Sequence, residues 1–424
     1  MRSRKRRILV TGVARWWGAL VVQRLVDDPD VAEVIGIDTR EPRYDLGRAD
    51  YLKLDIRHSL IGKLVRSVGI DTVVHTLTRV DSFDMDPRRA HEVNVIGTLN
   101  LLAGCAGVGS PVTRFVLKSS GHVYGSRVDL PTGIREDHRL DSNSRHQFVR
   151  DIVEVESYVN DFANRNPAID LLVLRFANSL NADEPQPLAR YLDLEVVPTV
   201  AGYDPTIQLT HRDDCVEALR LATKRGPAGA YNIAAPGGAT LSKLLDDAGK
   251  LHAPLIPPFG LELAAFGLRK SGVAFLSPQL LDLLRWGRVL STSKAVRLLG
   301  FRAARDTRAA FEEYISERRV LRYQPDHQGY QYEKELEDFI HSRVPSEDPG
   351  SSPQSGEVGP ARSASAAGRG APSEDGIPGS SPQGGEVGPA RHAGAGGRGA
   401  PAENGEPAAA KERPRPHRPR ALRR

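Results

Sequence analysis

Thr11-Gly12-Val13-Ala14-Arg15-Trp16-Trp17-Gly18 and, further on, Asp38 are residue types at a spacing able to hold a phosphate and a ribose. Ile8, Leu9 and Val10 form a short apolar run of the kind buried in a parallel sheet, and Gly12 follows where the chain must turn sharply. The next stretch carries Leu20, Val21 and Leu25 inward and reads as a helix. Free N–H groups at the start of that helix, with its dipole behind them, suit a pyrophosphate. Asp38 stands 26 residues after Gly12, at the end of the apolar run from Val34. A carboxylate there can accept hydrogen bonds from both hydroxyls of an adenosine ribose and repels a 2′-phosphate, so the pattern favours NAD over NADP.

Holding these residues together takes strands alternating with helices. Residues 51–55 read as a strand, 59–67 as a helix, 72–75 as a buried strand and 88–104 as a long helix. Residues 115–120 read as the next strand, 148–164 as a helix and 171–175 as the sixth strand. This alternation predicts an α/β fold with a Rossmann-type, doubly wound parallel sheet, whose ligands bind beyond the carboxyl ends of the strands. Residues 1–180 are expected to form this cofactor domain and residues 181–344 a smaller lobe. The lobe would hold a strand and turn over 198–202, a helix over 213–224 and a Leu/Ala-rich helical stretch over 261–287. That stretch is compatible with core, a homodimer surface or a lid.

A chain of 424 residues, 40% hydrophobic, is large enough for such a domain, a lobe and a tail. No stretch is apolar for long enough to span a bilayer, and the basic start runs directly into the first strand, so a cytoplasmic protein is expected. Cys105 and Cys215 provide neither a disulfide framework nor a zinc site. The net charge of +5 comes from the ends: the first seven residues carry +5 and the last fourteen +6, leaving about −6 on residues 8–410. A specific nucleic-acid role is not expected of that body. From residue 345 the composition turns to Gly, Pro, Ser, Ala and Arg, too poor in apolar side chains to order itself. Gly350–Pro372 recurs as Gly379–Pro401 with 19 of 23 positions identical, which suggests a duplicated linker. The basic end has no partner legible in the sequence.

Thr11-Gly12-x-x-Arg15-x-x-Gly18 resembles the T-G-x-x-G-x-x-G turn of extended short-chain dehydrogenases/reductases, the NAD-dependent sugar epimerases and dehydratases. The resemblance spans about residues 7–320 and implies NAD as cofactor and a nucleotide-sugar or related small molecule as substrate. Arg15 replaces the family's middle glycine, as in a subgroup resembling UDP-glucose 4-epimerases; Trp16 and Trp17 take the usual aromatic and aliphatic places. An arginine there either contacts a phosphate directly or blocks the cofactor. Asp55-Ile56 is similar to the pair that contacts adenine, and Val73-Val-His75-Thr76-Leu77-Thr78 to the run beside the nicotinamide half. Asn94-Val-x-Gly97-Thr98 matches the helix start near the cofactor, Ser119-Ser120-x-x-Val123-Tyr124-Gly125 the fifth strand's end, and Asn178 the asparagine that meets the sugar nucleotide. His75 reads better as a satisfied core histidine, Tyr124 as packing, and Asp213-Asp214 as a helix cap.

The resemblance also implies a Ser or Thr that orients a hydroxyl, a Tyr acid/base and a Lys four residues later. Ser120 fits the first role. Counting back from Glu156, the tyrosine position is Phe148 and the lysine position Ile152; counting from Glu154 gives His146 and Arg150. Phe148, Ile152, Val155 and Val159 form one apolar stripe at helical spacing, which favours the first register. Two readings stay open: an enzyme of the epimerase/dehydratase type with a non-standard acid/base such as His146, and a non-catalytic NAD or nucleotide-sugar binding protein.

Overall fold

Strand β1 (Arg6–Thr11) lies inside a seven-stranded sheet, with Ile8, Leu9 and Val10 fully buried. The computed structural model describes residues 5–78, 86–107, 109–184, 186–256 and 277–323, all within the unit Met1–Pro345. β1 leads into α1 (Trp16–Val26), β2 (Val31–Asp38), β3 (Asp50–Lys53), α2 (Leu60–Val68) and β4 (Thr72–His75). Helix α3 (Pro87–His91) continues through a π-helical turn, Glu92–Ile96, into α4 (Gly97–Cys105). Then come β5 (Arg114–Ser120), α5 (Gln147–Arg165) and β6 (Asp170–Phe176). The strand order is β3-β2-β1-β4-β5-β6-β9, with β9 at Gly229–Ile233 and every neighbour parallel. The chain winds outward from β1 on one side and from β4 on the other, so the crevice for a ligand opens where Thr11 pairs with His75.

Two elements differ from the sequence reading. β3 ends at Lys53 and not at Asp55, because Asp55 bends into a turn in which its carboxylate accepts the Arg57 N–H at 2.8 Å. The helix expected over 88–104 is interrupted by the π-turn that carries Asn94, an irregularity that propensity does not reveal.

The smaller lobe contains α6 (Pro187–Leu192), β7 (Val196–Val200), β8 (Thr206–Ile207), β10 (Ala239–Thr240), α8 (Leu241–Asp247) and β11 (Leu251–Ile256). It is completed by α9 (Pro278–Trp286) and α10 (Thr307–Tyr323). Its own core includes Tyr191, Leu209, Leu244, Leu284 and Phe311. Helix α7 (Arg212–Lys224), expected in this lobe, belongs instead to the sheet domain: Cys215, Leu219 and Ala222 share a core with Trp16, Val21 and Leu25 of α1. The chain must return there, because β9 adds to the sheet beside β6. Of the helical stretch expected over 261–287, α9 is described, while residues 257–276 lie outside the described residues, as does the tail from 345 with its repeat. Among the described residues no helix is long and apolar enough to cross a membrane.

Candidate functional site

Gly12 takes φ +84°, a left-handed conformation that lets the chain reverse from β1 into α1. A Cβ on Gly18 would stand 2.5 Å from the Gly12 carbonyl oxygen, so only glycine permits this close packing of helix on turn. Thr76 and Leu77 close the other wall: Thr76 Oγ1 donates to the Thr11 carbonyl at 2.7 Å, and a Cβ on Gly12 would meet Leu77 at 3.1 Å. Thr78 Oγ1 donates to the Lys118 carbonyl at 2.9 Å, tying this wall to β5. Asp38, at the end of β2, is buried; its Oδ2 accepts the Ala14 N–H at 3.1 Å and its Oδ1 the Thr39 N–H at 2.7 Å. The carboxylate thereby fixes the turn and keeps lone pairs for further donors.

Helix α1 begins with no side-chain cap and no acidic residue in its first turn, so its N-terminal N–H groups are left for an anion. Such an anion is supplied by the chain itself: Glu184 Oε1 accepts the Trp16 N–H at 3.0 Å, and Glu184 Oε2 lies 4.0 Å from Arg15 Nη1. Arg15 Nε is buried with no hydrogen-bond partner among the described residues. Trp16 and Trp17 stack at 4.2 Å, and Trp17 meets Phe176 edge-on at 5.0 Å. Both side chains are core, and what they offer a ligand is main-chain N–H. The glycine cradle, a helix end that draws a carboxylate, and Asp38 together fit a dinucleotide. Asp55 is engaged by the Arg57 guanidinium at 2.7 Å, Ile56 is buried beneath α4, and Asn94 is buried in the π-turn.

His75 is a structural tie. Thr11 Oγ1 lies 2.7 Å from its Nδ1 and Thr98 Oγ1 2.9 Å from its Nε2, joining β1, β4 and α4; burial pushes its pKa down to about 3. Tyr124 is equally structural, with its hydroxyl donating to Asn232 at 2.8 Å and accepting from Arg175 Nη1 at 2.7 Å. The cap of α7 is His211, whose Nδ1 accepts the Asp213 N–H at 3.2 Å, and not the aspartates. Asp214 instead accepts the Ala304 N–H at 2.8 Å.

Ser119 and Ser120 end β5 and point to different partners. Ser119 Oγ donates to Glu156 Oε1 at 2.5 Å, and Glu156 is held by Arg175 at 2.6 Å in a buried pair. Ser120 Oγ lies 2.7 Å from His122 Nδ1 and accepts the His122 N–H at 3.3 Å, capping the one-turn helix Gly121–Tyr124. The Phe148 ring meets the His122 imidazole edge-on at 71°, centroids 6.0 Å apart. Ile152 is buried among Val123, Tyr124 and Ile134. His146 stands at the N-terminus of α5, 2.7 Å from Asp282 of α9, and Arg150 donates to the Ser144 carbonyl at 2.7 Å and to Gln147.

His122 borders two cavities. One, of about 460 Å³, is also lined by His146, Arg145, Asp282, Trp286 and Arg288; the other, of about 50 Å³, by Asn178, Gln186 and Leu188. Arg288 is buried, and that burial lowers its pKa to about 10. Its Nη1 donates to the Gly125 carbonyl at 3.2 Å and to Ser126 at 3.3 Å, while Nη2 has no partner among the described residues. Arg288 thus lines the cavity as a buried cation whose Nη2 is itself enclosed.

Residues 8–234 match the NAD dependent epimerase/dehydratase family. The chain belongs to this family. An uncharacterized protein of Mycobacterium tuberculosis is 34% identical over 317 residues, covering 73% of this chain and 83% of that relative. Among solved structures, UDP-glucose 4-epimerase of Thermotoga maritima with UDP-glucose superposes with a TM-score of 0.58 at 22% identity, over 74% of this chain and 99% of that one. The Thermus thermophilus UDP-glucose 4-epimerase complexed with NAD gives a TM-score of 0.57 at 22% identity, with the same coverage.

Within this epimerase/dehydratase fold, sequence reasoning missed four groups: His122, Arg288, Asp282 and Glu184. His122 was hidden as an unassigned position inside Ser119-Ser120-x-x-Val123-Tyr124-Gly125, although a titratable residue two places from a candidate catalytic serine was a usable signal. Glu184, Asp282 and Arg288 come from the lobe side of the chain and reach the site only through tertiary packing.

Proposed function

We propose that this chain binds NAD at the β1–α1 turn and a nucleotide sugar, or a related anionic small molecule, in the crevice between the sheet domain and the lobe. On this reading it acts by reversible oxidation of a sugar hydroxyl. The observation that carries the reading is the start of α1, which its own N-cap residue leaves without a side-chain cap, with Gly12, Gly18 and Asp38 built around it and the Glu184 carboxylate seated on the Trp16 N–H. When bound, NAD supplies a hydride acceptor that can return what it takes. Main-chain N–H groups of α1 and Arg15 would hold the pyrophosphate, Asp38 the adenosine ribose, and Thr76, Leu77, Thr78, Asn94 and Ser119 would line the nicotinamide half. Asp55 and Ile56 would border the adenine. Ser120 would orient the reacting hydroxyl, Asn178 would meet the substrate, and Arg288 would pair with its negative charge. The NAD and UDP-glucose bound by the two structural relatives are consistent with both ligand classes.

The second reading, a binding protein without turnover, is favoured by Phe148 and Ile152: neither can exchange a proton, and Ile152 is sealed in the core. The test is to load the full-length protein with NAD, add UDP-sugars singly and follow both absorbance of reduced nicotinamide and product formation. Interconversion or net oxidation of a sugar nucleotide supports the enzyme reading; tight binding of both ligands with neither change supports the second.

A further inference from the structure

Phe148 leaves the centre without the usual phenol, yet a titratable ring stands beside it. His122 is held on the one-turn helix that follows β5, its imidazole between the Phe148 ring and Ser120. It borders the large cavity as well as the small one that contains Asn178. Capping alone accounts for the His122 N–H on Ser120 Oγ at 3.3 Å. It does not account for a ring nitrogen 2.7 Å from the same oxygen on a residue that lines two cavities. Ser120 Oγ accepts that N–H and keeps its own O–H; with the O–H donated to Nδ1, the ring proton sits on Nε2. Burial holds the pKa of His122 well below its usual value, and Arg288, His146 and Lys118 push in the same direction, so the ring is neutral before the reaction.

We propose that Ser120 and His122 form the proton relay of this chain, with His122 as the acid/base that Phe148 cannot be. The proposal rests on the enzyme reading above. As a carbinol is oxidised, its hydroxyl proton passes to Ser120 Oγ while the proton of Ser120 passes to His122 Nδ1. The C–H bond breaks with its electron pair leaving as hydride to the oxidised nicotinamide, and the C–O bond becomes C=O. Return of the hydride reverses each transfer. Positive charge arrives on the imidazole as it leaves the nicotinamide, so the buried site does not gain net charge, and the cations near His122 do not forbid the step.

His122→Gln keeps a hydrogen-bonding amide but cannot carry a proton. In NAD-loaded full-length protein it should lower kcat by about 10²- to 10⁴-fold. KM and the calorimetric affinity for NAD should hold, and Phe148→Tyr in the same background should restore part of the rate. An unchanged kcat overturns the relay and leaves the enzyme reading standing, whereas no turnover of any sugar nucleotide by NAD-loaded protein overturns both. A further arm needs neither turnover nor a variant: nitrogen-15 spectra of the imidazole should show the Nε2–H tautomer across neutral pH. An Nδ1–H tautomer overturns the relay, because Nδ1 could not then accept from Ser120.

Discussion

Gly18→Ala tests the cofactor cradle with one methyl group. The added Cβ would stand 2.5 Å from the Gly12 oxygen, 2.7 Å from the Gly12 carbonyl carbon and 2.9 Å from Val13 Cα, all of them backbone. Ordinary contact begins at 3.4 Å, so the turn must retreat by about 0.9 Å. The retreat is resisted: the Gly12 N–H is bonded to Ile37 at 2.9 Å, and the wall at Leu77 stands 3.1 Å from where a Gly12 Cβ would be. Overpacking of this kind costs about 1–3 kcal/mol, and replacing glycine in a helix returns about 1 kcal/mol. Net destabilisation of about 0–2 kcal/mol should lower Tm by up to a few degrees in a scan. The displaced turn no longer presents its N–H groups and Asp38 in one geometry, so NAD affinity should fall by at least tenfold, about 1.4 kcal/mol, in calorimetry. A variant that binds NAD like the parent and melts higher would show that helix propensity outweighs crowding here and that the cradle geometry does not position the cofactor.

Four other outcomes are expected. Asp38→Ala should weaken NAD binding by about 1.5–3 kcal/mol, as for hydrogen bonds to a charged group, and equal calorimetric affinities would remove Asp38 from the site. Glu184→Ala should tighten NAD binding by about 1 kcal/mol, because it clears a carboxylate from the helix end a pyrophosphate would occupy; weaker binding would show that Glu184 supports the cofactor. His75, with its folded pKa near 3 against an ordinary 6.5, contributes stability that is intact above 6.5 and lost as pH falls towards 3, at about 1.4 kcal/mol per unit. Urea midpoints of His75→Gln should therefore decline less steeply between pH 6.5 and pH 4 than those of the parent, and parallel declines would contradict this. A chain ending at Val344 should melt within a few degrees of the full length, since the composition beyond it offers little to bury; a large loss would show that the tail packs on the body.

Much of the sheet domain was legible because its signals are local. Ile8-Leu-Val10 and Thr72-Val-Val-His75 are apolar runs that can only be buried strands, and the helix after Gly12 carries its apolar face at the right period. The stripe Phe148, Ile152, Val155, Val159 likewise reads as the inner face of α5, and Ile152, Val155 and Val159 are buried. The return of α7 and β9 to the main core was not legible, because no local pattern distinguishes a helix that packs on its own lobe from one that crosses back. The site divides in the same way. Gly12, Gly18, Asp38 and Ser120 announce themselves by spacing, whereas Glu184 on the Trp16 N–H and Arg288 behind Gly125 depend on contacts 168 and 163 residues apart in sequence. His122 was local but fell between two positions that the family motif specifies.

The central claim is that this epimerase/dehydratase-family chain holds NAD together with a nucleotide sugar. It is tested most directly by purifying the full-length protein without added ligands, denaturing it and identifying the released small molecules by mass spectrometry. The account predicts NAD or NADH at a substantial fraction of one per chain, a nucleotide sugar bound with it or readily captured from a supplied mixture, and loss of the dinucleotide in Gly18→Ala. Protein that releases no dinucleotide, and that binds none when NAD is titrated in, would contradict it.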